Sequence, residues 1–131
     1  MSRLLIPVLM LGLATGTSAQ TRDSLPTGVT SAMVETGAQL YKGAGICFAC
    51  HGADGKGTAG VGPNLADEEW LHSDGSYEAI VRQIIQGVLP TQSKSGMMMP
   101  PKGGSSLNDE QVRAVAAYVW TLSHWIADRR L

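Results

Sequence analysis

The sequence predicts an all-α domain of three or four helices joined by long loops. Three observations predict it. Apolar residues recur at helical spacing in three separate segments, and no stretch alternates apolar and polar residues as a half-buried strand would. The connecting segments are long and rich in glycine, proline, serine and methionine. The 131 residues suffice for one ordinary domain, and no internal repeat divides them.

The first helix is expected to start after Ser31, which would cap it. Met33, Gly37 and Leu40 form one row, and Val34, Ala38 and Tyr41 the next. Gly43 and Gly45 suit its stop. A middle helix is expected over 76–86, capped by Ser76 and closed by Gly87, with Ile80, Val81, Ile84 and Ile85 as its apolar stripe. The last helix is the clearest. Asn108 can cap it, and Asp109 and Glu110 place negative charge in its first turn. Val112, Val115, Ala116, Val119 and Leu122 then share a face as far as about His124. Residues 52–62 (GADGKGTAGVG) and 88–107 are the long loops. Loops of this length in a compact domain usually serve a purpose, and wrapping a bound group is one.

The amino terminus has the order of an export signal. Arg3 is followed by the apolar run 4–14 (LLIPVLMLGLA) and by small residues ending at Ala19. That run is about half of the roughly 20 residues needed to span a bilayer, and Pro7 and Gly12 interrupt it. Residues 1–19 are therefore expected to be a signal peptide, 20–30 a flexible leader, and 31–131 the folded domain. The expected product is exported to the periplasm and is soluble, with no stable membrane span. Cleavage would leave 131 − 19 = 112 residues, with 9 basic against 11 acidic side chains. No basic patch calls for nucleic acid. Aromatic residues make up only 5% of the chain, so a large buried apolar cofactor would help it fold.

The chain has two cysteines, Cys47 and Cys50. A disulfide across so short a gap would add little stability. Cys47-Phe48-Ala49-Cys50-His51 instead reads as C-x-x-C-H, the attachment motif of a c-type haem. Thiols three residues apart can reach the two vinyl groups on one side of a porphyrin, and the next residue then lies under the iron. A neutral imidazole there donates its lone pair to iron. A thioredoxin-like pair would need a strand before it, and a zinc site would need about four ligands. Candidates for the sixth iron position are Met97, Met98, Met99, His72 and His124. A thioether favours ferrous iron, and the methionine triplet lies 46 to 48 residues beyond His51. Met99 is the choice, because Pro100-Pro101 restrict its backbone to an extended conformation. His72, in a polar turn, reads as a surface histidine, and His124, at a helix end, as structural.

These residues resemble the class I cytochromes c over about 33–123, in the blocks GAQLYKGAGICFACHGADGKG, GVGPNLADEEW and MPPKGGSSLNDEQVRAVAAYVWTL. The likeness is closest to monohaem carriers of the bacterial periplasm and to haem domains attached to oxidases and dehydrogenases. The resemblance implies the class I cytochrome c fold, wrapped around one covalently bound haem c and its iron. It implies that the Pro63 carbonyl orients His51 through Nδ1. It implies that Trp70 binds a haem propionate or packs on the haem edge. It also implies that Gly37 lets the first helix cross the last near Tyr118 or Val115. Residues 89–98 (LPTQSKSGMM) are longer and more polar than in many members of the family.

The function expected is single-electron transfer in the periplasm, with no bond chemistry by the protein itself. Partners would be redox proteins, a dehydrogenase as donor and an oxidase or reductase as acceptor. Lys42, Lys56, Lys94 and Lys102 are scattered rather than ringed around the motif, so a partner need not be strongly acidic. Two rival readings are a dedicated haem subunit of a dehydrogenase or oxidase, and a gas-binding or peroxidatic haem protein with an open sixth position.

Overall fold

A computed structural model describes residues 24–124. The expected signal peptide, 1–19, lies outside them. The described chain is helical: α1 is Ser31–Lys42, α2 Phe48–His51, α3 Tyr77–Gln86 and α4 Asp109–His124, with a 3₁₀ turn at Pro101–Gly104. Extended pairing among these residues is confined to two isolated bridges, Thr58 with Gly62 and Val88 with Met99.

Capping differs from expectation at α1. Thr30, not Ser31, is the cap: its backbone is extended and its hydroxyl accepts the Met33 N–H at 3.2 Å. Leu25 and Val29, within the segment expected to be a leader, pack against the core, and Val29 is buried. α4 starts as expected and more firmly. The Asn108 side chain accepts the Gln111 N–H at 2.9 Å, and the Gln111 side chain accepts the Asn108 N–H at 3.0 Å. That reciprocal pair satisfies two otherwise orphaned donors.

The core lies between α1, α3 and α4. Tyr41 and Val112 are fully buried, with Val115 and Ala116 beside them. Gly37 explains the closeness of α1 and α4. A Cβ at this position would run into the Ala114 carbonyl and the Cβ of Tyr118. The neighbour is thus Ala114 rather than Val115. From α3 the buried face is Tyr77, Ile80, Val81 and Ile84. Ile85, expected on that stripe, is 38% exposed, because one further step of about 100° carries it past the contact with α4.

No helix among the described residues is long and apolar enough to cross a membrane.

An apolar cleft lined by the attachment turn and the methionine loop

The motif residues Cys47, Cys50 and His51 belong to a single turn of helix, α2, too short to leave a periodic signal in the sequence. Ile46 leads into it with φ of 57°, a left-handed conformation that a β-branched residue rarely adopts. The loop after α2 is tied back by short bonds. The Gly57 N–H donates to the His51 carbonyl at 2.7 Å, and the Leu65 N–H donates to the Gly55 carbonyl at 2.7 Å. The Tyr41 hydroxyl reaches across from α1 to the Gly52 carbonyl at 2.8 Å.

This bracing brings Pro63 beneath the motif. His51 Nδ1 lies 2.9 Å from the Pro63 carbonyl oxygen. A carbonyl can only accept, so Nδ1 carries the proton and Nε2 keeps a free lone pair. His51 is buried, and that burial lowers its basicity, while the Pro63 carbonyl acts in the opposite direction. Burial also pushes the free Cys47 thiol up to about 11. Cys50 is exposed.

The second long loop lines the same space as α2. The Val88 N–H donates to the Met99 carbonyl at 2.8 Å, and the Met99 N–H to the Val88 carbonyl at 3.0 Å. Met99 is thereby pinned to the end of α3 and packs against the core, whereas Met97 and Met98 are about half exposed. Gly87 allows the junction. Its φ of 69° and ψ of −164° suit only glycine, and a Cβ there would strike the Met99 carbonyl and the backbone of Pro100 and Pro101.

These two segments line a cleft enclosing about 1080 Å³ of space, its open mouth included. Cys47, Cys50 and His51 line it together with Met97, Met98 and Met99. Its floor is apolar and shared with the core, including Ile80, Ile84, Leu107, Val115 and Val119. Pro63 and Trp70 complete the set that the sequence singled out. His72 is there too, half-buried rather than a plain surface residue. His124 lies elsewhere, stacked on Trp120 with ring centroids 4.0 Å apart.

The cleft fits a haem by its own chemistry. It is apolar and bordered by two thiols, an imidazole lone pair and a thioether. Its wall also holds a polar atom without a protein partner: the buried Oε1 of Gln83 makes no hydrogen bond. Gln83 lies on α3, and nothing in the sequence pattern singles it out.

A helical fold around such a cleft defines a class I c-type cytochrome. Residues 32–119 match the family described as cytochrome c oxidase, cbb3-type, subunit III, and the chain belongs to that family. Its cofactor is a covalently bound haem c with its iron. The chain is 41% identical over 91 residues to the cbb3-type cytochrome c oxidase subunit CcoP of Rubrivivax gelatinosus, a match covering 68% of this chain and 27% of that protein. It is 37% identical to the FixP subunit of Sinorhizobium medicae, covering 69% and 28%. The chain thus spans about a quarter of the length of the curated relatives it matches. Among solved structures it is similar to cytochrome cL from Hyphomicrobium denitrificans, with a TM-score of 0.53, 23% identity, and coverage of 75% and 56%. Cytochrome cL from Methylophaga aminisulfidivorans gives 0.51, 22%, 67% and 53%. These two likenesses concern the fold.

Proposed function

We propose that the protein transfers single electrons in the periplasm through one haem c, attached at Cys47 and Cys50, with His51 and Met99 as iron ligands. The observation that carries this reading is the convergence of the three motif residues and Met99 on one apolar cleft. When bound, the haem supplies a reversible one-electron iron couple. The chain's own residues do the rest. Pro63 orients the His51 ring and strengthens its donor nitrogen. The bridge to Val88 holds the Met99 backbone in place. The apolar floor excludes water, so little has to rearrange when the charge on iron changes. The indole N–H of Trp70 has no protein acceptor among the described residues, which suits a bond to a haem propionate. In this reading residues 1–19 direct export, the cytochrome domain begins by Leu25 rather than at residue 31, since Leu25 and Val29 pack into its core, and the protein does no bond chemistry of its own.

A second reading is supported by the family itself: the chain would serve as the haem subunit of an oxidase complex rather than as a free carrier. Stable co-purification with an oxidase core would favour it, and recovery as a free monomer the diffusible carrier.

The experiment is an absorption spectrum of the matured protein, oxidised and reduced, for wild type and Met99→Ala. The expected result is a c-type reduced spectrum, with a weak far-red iron–sulfur band in the oxidised form that Met99→Ala abolishes. Survival of the band in Met99→Ala would overturn the choice of ligand. A high-spin wild type that binds carbon monoxide would move the function to gas binding or peroxide chemistry.

A further inference from the structure

The loop carrying the methionines is long, and its tip is weakly held. Leu89, Met97 and Met98 are about half exposed, and Gly96 has open space around it. Its internal bonds are local. The Gln92 and Ser93 amides donate to the Leu89 carbonyl, and the Ser93 hydroxyl donates to the Met97 carbonyl at 2.6 Å. The base is closed by Val88 and Met99. Among the described residues, one hydrogen bond joins residues 89–98 to the rest of the protein. It runs from the Lys94 N–H to His72 Nε2, at 3.0 Å and across 22 residues of sequence.

We infer that His72 is a positioning residue for the sixth iron ligand, its imidazole latching the methionine loop shut over the cleft through the Lys94 amide. Three observations meet here. His72 Nε2 serves as acceptor, so the ring carries its proton on Nδ1. The ring is half-buried and lines the same cleft as Met97, Met98 and Met99. The bond spans the one part of the loop that neither the bridge at its base nor its internal turns can anchor. A latch of this kind sets how often the loop opens and how often iron loses its thioether to another ligand. The inference rests on the proposal that Met99 ligates iron.

The test uses the matured holoprotein and its His72→Phe and His72→Gln variants. Phenylalanine keeps a ring but cannot accept. Glutamine places an amide oxygen where Nε2 lies. Two quantities are measured: the rate at which cyanide displaces the sixth ligand of the ferric protein, and hydrogen exchange at the Lys94 amide. In His72→Phe the cyanide rate is expected to rise about tenfold, which converts to about 1.4 kcal/mol. Lys94 should lose its protection in parallel. His72→Gln should return both to within about twofold of wild type, the reach of one retained neutral hydrogen bond. A His72→Phe protein with wild-type cyanide rate and Lys94 protection overturns the latch. Failure of glutamine to rescue overturns it as well, since restoring an acceptor would then not restore the loop. Met99→Ala separates the two proposals. If the far-red band survives in that variant, the ligand assignment falls first and takes this inference with it. If Met99→Ala abolishes the band while His72→Phe changes neither measurement, the inference alone falls.

Discussion

The carbonyl oxygen of Pro63 accepts a hydrogen bond from His51 Nδ1 at 2.9 Å. The acceptor belongs to the backbone, so the bond does not depend on the proline ring. Pro63→Ala should keep the c-type spectrum and the far-red band. It should cost about 0.4–1 kcal/mol of stability, through the greater freedom of the unfolded chain. Denaturant unfolding of the holoprotein, followed at the haem band, measures both. A changed spectrum in the folded variant would mean that the ring itself aims the imidazole.

Gly37 tests the helix crossing. A methyl group at this position meets the Ala114 carbonyl and Tyr118, neither of which can swing aside. Gly37→Ala should destabilise the protein by about 1–3 kcal/mol by forcing α1 from α4, in spite of alanine's better helix propensity. A neutral or stabilising result would refute the closeness of the crossing.

Gly87 links the end of α3 to the ligand loop. Gly87→Ala should cost about 1–3 kcal/mol in backbone strain alone. It should also weaken the far-red band, because its methyl group displaces Met99. A stability loss with the band at full strength would show that Met99 keeps its place without this junction.

Tyr41 gives a pH signature. Its phenol is fully buried, and that burial, the leading cause, raises it well above the ordinary value near 10. Below pH 10 the unfolded and folded phenols are both protonated, so its contribution is complete. Above pH 10 only the unfolded phenol ionises, and that contribution is progressively lost. Wild type should therefore lose stability more steeply above pH 10 than Tyr41→Phe. At pH 7 the variant should be weaker by about 1 kcal/mol, the bond to the Gly52 carbonyl. Parallel alkaline denaturation curves would contradict this.

Signals in the sequence are legible where the physics is local. The motif at 47–51 announces itself because its chemistry requires a fixed spacing. α4 is legible from its cap, its acidic first turn and its apolar face, all within one segment. What escaped depends on distant parts of the chain. Ser31 and Thr30 are equally good caps on paper, and Ile85 looks as apolar as Ile84. Only the packed positions of α1 and α4 distinguish them. Val29 gives no periodic signal, yet it fills the core. His72 reads as a turn residue until the loop at 89–98 folds back beside it. Pro63 and Trp70 were drawn from a family likeness, since a backbone carbonyl leaves no trace in side-chain chemistry.

The 3₁₀ turn after the paired prolines has a consequence for how the protein meets other molecules. Among the described aspartates, glutamates, lysines and arginines, Lys102 alone lines the cleft, and its ammonium is held by partners. Nζ donates to the Leu107 carbonyl at 2.9 Å and lies 3.3 Å from Asp109. Among the described residues, the cleft lining thus offers no unpaired aspartate, glutamate, lysine or arginine, and Ile46, Val61, Met97 and Met98 are its exposed apolar members. The lining side chains give encounters there little electrostatic guidance. Their rate should sit near the unsteered range of about 10⁵–10⁶ M⁻¹s⁻¹ and hardly change with ionic strength. A cytochrome with such a mouth trades speed of capture for indifference to the salt around it.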